Sequence, residues 1–134
     1  MKHKLTAAAR LLLGLIFFVF GLNGFLNFIP VPPNLPPQMV AFMGGMNASV
    51  YFLPLLKGTE VFVGALLLVG VAVPVALVIL APIVINIFFV HLFLTPGLEN
   101  LILPIFIIIL QAVAMNGHCG LYRPLFQHRC RLRA

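Results

Sequence analysis

Six polar side chains interrupt long apolar stretches of this sequence, and their types and spacing are its main source of possible chemistry. They are Asn23, Asn27, Lys57, Glu60, Asn86 and His91. A carboxylate and an imidazole can exchange protons when burial and neighbouring charges adjust their pKa values. Ammonium and amide groups can donate hydrogen bonds to a carbonyl ligand. The set predicts a small ligand-binding pocket or a proton relay.

The composition indicates that these side chains lie in a membrane protein. Of the 134 residues, 63% are hydrophobic and only 7% are charged, whereas soluble domains carry roughly 45–50% apolar and about 25% charged residues. Only Glu60 and Glu99 are acidic, which argues against a Ca²⁺ or Mg²⁺ site and against a paired-carboxylate hydrolase. Most basic residues lie at the termini, so a nucleic-acid-binding face is not predicted.

Four apolar segments are long enough to cross a bilayer, at about 11–29, 52–71, 74–94 and 98–115. Their length excludes the short alternating strands of a membrane barrel and leaves helices. A proline-rich stretch at 30–37 ends the first segment, and the loop after it contains a possible short helix at 38–48. We predict an all-α membrane protein in which residues 1–134 form a single four-helix transmembrane bundle with a short outer-loop helix.

The basic residues predict the orientation of this bundle. Seven of the eight flank the outer ends of the four spans, and these are Lys2, Lys4, Arg10, Arg123, Arg129, Arg131 and Arg133. By the positive-inside rule, both termini lie in the cytoplasm and the loop at 30–51 lies on the other side. No small-residue cleavage site closes the first apolar run, so it is interpreted as an uncleaved anchor of a multi-pass inner (cytoplasmic) membrane protein.

This orientation places all six polar side chains in the outer half of the bilayer, because a helix rises about 1.5 Å per residue. Lys57 and Glu60 are three residues apart, so their side chains can meet. Asn86 and His91 lie about 140° apart on an ideal helix, and a kink at Pro82 would be needed to turn both inward. We expect Glu60 to approach His91, with the asparagines completing the hydrogen bonds.

Small residues predict the packing faces of the first two spans. They are Gly14, Gly21 and Gly24 on the first span and Gly58, Ala65 and Ala72 on the second. Membrane helices associate closely at such faces. The alternative is that the glycines act as hinges of a gate. Gln111, alone in the fourth span, predicts an interhelical hydrogen bond.

Two further groups of residues allow a metal site without requiring one. Met39, Met43 and Met46 recur at helical spacing and could bind Cu(I), or they form the apolar side of a helix lying on the membrane. The C-terminal segment contains two residue types that bind zinc, at His118, Cys119, His128 and Cys130. However, His118 and Cys119 are adjacent in the sequence, which known zinc sites do not show. Cysteines in the cytoplasm are reduced thiols by default. We predict no metal site.

Three segments give the chain a family resemblance: RLLLGLIFFVFGLNGFLNFIP, LPLLKGTEVFVGALLLVG and VPVALVILAPIVINIFFVHLFLTPGL. Together they resemble the DoxX-like membrane proteins over about 100 residues. The positions that match recurring family positions are Arg10, Asn23, Glu60, Asn86 and His91. Many relatives carry a lysine shortly after the glycine of the first span, where this chain has Asn23 and Gly24.

The resemblance implies a compact four-helix protein that serves as a subunit of a quinol oxidase or thiosulfate:quinone oxidoreductase system. We therefore predict an accessory subunit of a quinone-linked membrane redox complex, with the lipid bilayer and other subunits as partners. Quinone is a possible ligand, and a homo-oligomer is a possible assembly. One alternative is a small proton or solute transporter that uses Glu60. The other is a structural role, in which Lys57 and Glu60 fix helix register and His91 caps a helix end.

Overall fold

The computed structural model describes residues 1–126, in which all regular structure is helical. Four helices are long and apolar enough to span a membrane: α1 (Lys2–Leu26), α3 (Phe52–Val69), α4 (Val73–Leu94) and α5 (Leu98–Asn116). Three shorter elements complete the described part: α2 (Pro37–Ala48), α6 (Cys119–Tyr122) and a 3₁₀ turn (Arg123–Phe126). The predicted all-α fold class, with four long apolar helices and a short helix after the first, is confirmed.

The first helix differs from its predicted bounds at both ends. α1 begins at Lys2, so it includes the basic residues that precede the apolar run. It ends at Leu26 because Asn27 adopts the left-handed conformation, with φ 50° and ψ 44°. Asparagine is one of the few non-glycine residues that adopt this conformation readily. The span predicted for 11–29 therefore ends three residues early, in a capping structure that hydrophobicity does not reveal.

The four long helices form a ring in which α1 packs on α3 and α5, and α4 packs on α3 and α5. The α1–α3 contact is the most extensive, and α2 touches α3 and α4. Thirteen buried apolar residues form the core. They are Ala9, Leu13, Phe17, Val63, Leu67, Val73, Ala76, Leu77, Leu80, Val84, Ile107, Leu110 and Ala114. Most lie toward the α3–α4 turn, so the apolar core is concentrated in one half of the bundle.

Glycines bring the backbones of α1 and α3 into contact. A Cβ atom at Gly64 would lie 2.6 Å from the amide nitrogen of Phe18 and 2.9 Å from the carbonyl oxygen of Gly14. A Cβ atom at Gly14 would lie 2.9 Å from the Cβ of Leu67. Such distances are shorter than carbon packing allows, so neither position accepts a side chain in this geometry.

The predicted packing face is confirmed for α1 and is wrong for α3. A Cβ at Gly14, Gly21 or Gly24 would collide with α3. On the α3 side the contact glycine is Gly64, whereas a Cβ at Gly58 would meet no atom within 4 Å. Spacing of seven residues identifies residues that share a face of a helix. It does not identify which face meets the neighbour when the whole helix surface is apolar.

Two polar side chains connect the end of α5 and the segment after it to α4. Gln111 donates through Nε2 to the carbonyl oxygen of Leu77 at 2.7 Å, which confirms the predicted interhelical hydrogen bond. The hydroxyl of Tyr122 donates to the carbonyl oxygen of Pro74 at 3.1 Å. Burial raises the pKa of the Tyr122 phenol, so this donor keeps its proton at physiological pH.

Candidate functional site

An ion pair within α3 is the centre of the candidate site. Lys57 donates through Nζ to Oε2 of Glu60 at 2.9 Å, across one turn of the helix. The Glu60 side chain is only 4% exposed, whereas the Lys57 side chain is 24% exposed. The predicted meeting of these two side chains is confirmed. The carboxylate therefore lies inside the bundle while the ammonium group reaches its edge.

The pair occupies the α1-facing side of α3, where two glycines of α1 make room for it. A Cβ atom at Gly21 would lie 3.1 Å from the Cβ of Glu60. A Cβ atom at Gly24 would overlap the aliphatic part of Lys57. These two glycines are site residues that the sequence interpretation treated only as packing residues. The sequence feature that could have identified them is their spacing of three residues, which equals the spacing of Lys57 and Glu60.

The pair lies well inside the span. Lys57 is five residues and Glu60 eight residues from the first residue of α3, which corresponds to depths of about 8 and 12 Å along the helix. Beyond Glu60, the side chains of Val63 and Leu67 are fully buried. The ion pair therefore marks the boundary between the apolar core and the end of the α1–α3 interface that lies nearest the loop between these two helices.

His91 makes its hydrogen bond within its own helix. Its Nδ1 lies 2.8 Å from the carbonyl oxygen of Ile87, and because a carbonyl only accepts, Nδ1 is the donor. In the neutral ring this assigns Nε2 as the acceptor. No hydrogen bond or ion pair joins His91 to Glu60 within residues 1–126. The expected pairing is absent because the Ile87 carbonyl, one turn away, provides a local partner.

The three asparagines do not complete the hydrogen bonds of Glu60, contrary to expectation. Asn23 Oδ1 accepts from the backbone N–H of Ile29 at 2.7 Å, which closes the end of α1. Asn27 is the exposed left-handed residue of the same cap. Asn86 is exposed on α4, whereas His91 is half-buried, so Pro82 does not turn both toward one centre. Of the six polar residues, hydrogen bonds in the described structure join only Lys57 and Glu60.

The possible metal ligands are not assembled within the part of the chain that is described. Among residues 1–126, no three His, Cys, Asp or Glu side chains lie together. His118 Nδ1 donates to the carbonyl oxygen of Ala114 at 2.9 Å, and Cys119 is exposed. His128 and Cys130 lie outside the described residues. On α2, Met39 and Met46 are half-buried and Met43 is exposed.

Comparison with known families adds a decisive observation. The model of the DoxX family matches residues 5–92, about two thirds of the chain. The chain belongs to the DoxX family. The matched region contains the ion pair, Asn86 and His91, whereas all of α5 and the elements after it follow the matched part. Comparisons of this DoxX-family protein with curated proteins and with solved structures find no match.

The ion pair gives this DoxX-family protein both a donor and an acceptor at membrane depth. An ammonium group carries three N–H donors, and the bond to Glu60 uses one of them. The second oxygen of Glu60 keeps its acceptor capacity. Because the charges neutralise each other, the pair is far less costly in a bilayer than either charge alone. Chemically, the pair can donate a hydrogen bond to a carbonyl oxygen and accept one from a hydroxyl group.

Proposed function

We propose that this protein is an accessory subunit of a membrane redox complex that binds a quinone headgroup beside Lys57 and Glu60. The observation that carries the proposal is a carboxylate almost fully buried in a membrane span, with its partner on the same helix. The chain belongs to the DoxX family, and a role in a quinone-linked system is what its resemblance to DoxX-like proteins implies.

The side chains fit the polar groups of a quinone. The free N–H groups of Lys57 can donate to a quinone carbonyl, and Glu60 can accept from a quinol hydroxyl. His91 Nε2 is a further acceptor on the neighbouring helix α4. A bound quinone supplies the electron chemistry, while these residues orient the headgroup and hold its protons. The electron donor or acceptor belongs to another subunit in this proposal.

A purely structural role explains the ion pair less well. The hydrogen bond joins two residues of α3, so it adds no bond between helices. Buried ion pairs are often replaced by apolar residues without loss of stability, since desolvation cancels much of their attraction. Close packing against Gly21 and Gly24 would also be available to apolar side chains. These considerations favour a ligand-binding role over one that fixes helix register.

Transport also fits the described structure less well than ligand binding. On the side of Glu60 that faces the apolar core, the next side chains are those of Phe17, Val63 and Leu67. None of them is more than 2% exposed. A proton path would need polar groups or water through this layer. A quinone that enters from the membrane and binds near the outer end needs no such path.

Quinone retention tests the proposal directly. We expect the purified wild-type protein to carry quinone extractable in organic solvent, and Glu60→Gln to weaken binding of the reduced quinol about tenfold, because it removes the charged acceptor of a quinol hydroxyl. The matched control is Glu99→Gln, because Glu99 is exposed in the first turn of α5. It should bind quinone as the wild type does.

Two outcomes would overturn this function. One is wild-type protein with no more quinone than the surrounding lipid contains, and the other is equal quinol affinity of Glu60→Gln and the wild type. If proteoliposomes instead dissipate a pH gradient and lose that activity with Glu60→Gln, the transporter replaces the redox subunit. A redox enzyme that co-purifies from native membranes, with quinone-dependent turnover reduced by Glu60→Gln, is the expected sign of the accessory role.

We further infer that the protein lies in the inner (cytoplasmic) membrane with both termini in the cytoplasm. Thr6 of α1 lies against Gly117, just beyond α5, so the two ends of the spanning region share one side of the bundle. The basic residues Lys2, Lys4 and Arg123 lie at this same end. The positive-inside rule supports a cytoplasmic location for it.

Thiol labelling tests this orientation. Cys119 is exposed, and Cys130→Ser would leave it as the chain's single cysteine. We expect a membrane-impermeant maleimide to label Cys119 only after the membrane is permeabilised. The matched control is Ala48→Cys in a chain with both natural cysteines replaced by serine, because Ala48 is exposed at the end of α2. Labelling of Cys119 in intact spheroplasts would show the opposite orientation.

A further inference from the structure

An exposed stripe along α4 contains one residue that does not suit lipid. The exposed positions recur every three or four residues, as on one face of a helix. They include Val75, Ile79, Pro82, Asn86, Phe89 and Phe93. Asn86 is eight residues from the end of α4, about 12 Å along the helix. Its amide therefore projects from the bundle at a depth where the surroundings are hydrocarbon.

The Asn86 amide has no partner within the described chain. None of the side-chain hydrogen bonds within residues 1–126 involves it. The hydroxyl of Thr59, also on the exterior of the bundle, is satisfied by the carbonyl oxygen of Leu55 at 2.8 Å. Acyl chains offer Asn86 neither donors nor acceptors, so an exposed amide at this depth is unfavourable. A polar partner from outside this chain would remove that penalty.

Beside the stripe lies a groove between α3 and α4 with a volume of about 510 Å³. Its lining residues are Pro54, Leu55, Gly58, Thr59, Phe62, Val63 and Ile79. Gly58 exposes bare backbone there, since a Cβ at this position would meet no atom within 4 Å. Ile79 and Asn86 are seven residues apart, hence about 20° apart around an ideal helix. Asn86 therefore continues the α4 side of the groove toward its outer end.

We propose that this groove and the Asn86 stripe, together the α3–α4 face, form the interface of a homodimer. In the proposed dimer, α4 of each copy packs toward the groove of the other, and the two Asn86 amides bond to each other across a twofold axis. Gly58 allows the close backbone approach that membrane helices use to associate. The interface is isologous, so each copy offers the same glycine and the same amide.

Two features identify the partner as a second copy of this chain. Copies inserted in the same orientation place Asn86 at the same depth, so the two amides meet without any shift of register. An amide carries both a donor and an acceptor and is therefore complementary to itself. The ion pair faces α1 on another side of α3. The dimer is thus independent of the proposed quinone site.

Oligomeric mass in lipid nanodiscs and subunit counting over a lipid-dilution series test the dimer. We expect wild-type protein to be dimeric at high protein density, and Asn86→Leu to weaken association about tenfold, as for a lost hydrogen bond between membrane helices. Gly58→Ile should weaken association at least as much, because its side chain fills the groove. Phe106→Leu, at an exposed position of α5, is the matched control and should associate as the wild type does.

Disulfide cross-linking between copies provides a second test of the dimer that does not depend on the folding of Asn86→Leu or Gly58→Ile. In a chain with Cys119 and Cys130 replaced by serine, Phe89→Cys lies one turn from Asn86 and should form a disulfide-linked dimer on oxidation. Phe106→Cys should not. A wild-type monomer at every dilution, or equal association of wild type and Asn86→Leu, would overturn the proposal. Asn86→Leu should retain quinone normally, so failure of the dimer and failure of the quinone site can be told apart.

Discussion

Gly64→Ala is expected to lower the free energy of unfolding by about 3 kcal/mol, although it adds only one methyl group. The added Cβ would lie 2.6 Å from the Phe18 amide nitrogen and 2.9 Å from the Gly14 carbonyl oxygen. Both are backbone atoms of α1, so no side-chain rotation can relieve the overlap. α1 must move away from α3, which weakens the most extensive helix contact in the bundle.

The stability of Gly64→Ala can be measured by reversible unfolding in mixed micelles. The control is Gly45→Ala, in the interior of α2, where a Cβ would meet no atom within 4 Å. That change should leave the protein as stable as the wild type or stabilise it by up to about 1 kcal/mol, the helix-propensity gain of alanine over glycine. Equal stabilities for the two variants would show that α1 and α3 are not in backbone contact.

Removing Lys57 should destabilise the protein more than removing the charge of Glu60. Lys57→Met leaves a carboxylate buried without its counter-ion, and breaking a buried pair in this way costs about 3–5 kcal/mol. Glu60→Gln leaves an ammonium group that is 24% exposed in the wild type and has a flexible stem that can reach the membrane surface. We therefore expect less than half the loss for Glu60→Gln.

The double variant Lys57→Met with Glu60→Met completes the experiment. It removes both charges, so it should be more stable than Lys57→Met alone and should recover most of the lost free energy. Unfolding of all variants in the same micelles measures the coupling between the two positions. Losses that simply add would indicate that the two groups do not interact in the folded protein. Recovery of stability without recovery of quinone binding would assign the pair to ligand binding.

Local sequence features were sufficient to predict the ion pair and, to within two residues, the limits of α3, α4 and α5. Lys57 and Glu60 meet because residues three apart on a helix are neighbours, whatever surrounds the helix. The helix predicted for 38–48 is observed as Pro37–Ala48. Gln111 was also predicted correctly, since a single amide in an apolar span is best satisfied by another helix. Each of these predictions required only the helical period and the apolar character of the spans.

The rest of the candidate site depends on which side of each helix faces inward, and the sequence contains little information about that. In a soluble helix the polar face identifies the exterior, but in these spans both faces are apolar. Asn86 and Gly58 were therefore expected in the interior and are found outside. The capping role of Asn23 was not predicted, for another reason. Its capping bond to Ile29 depends on the left-handed conformation of Asn27, which hydropathy does not encode.

The backbone contact of α1 with α3 has a consequence for how the chain is made. α1 precedes α3 along the chain, and the proline-rich loop and α2 are the only elements between them. Their glycine-mediated contact requires no residue of α4 or α5. A helical hairpin with its charges already paired can thus assemble in the bilayer during translation, as a template on which the later segments dock.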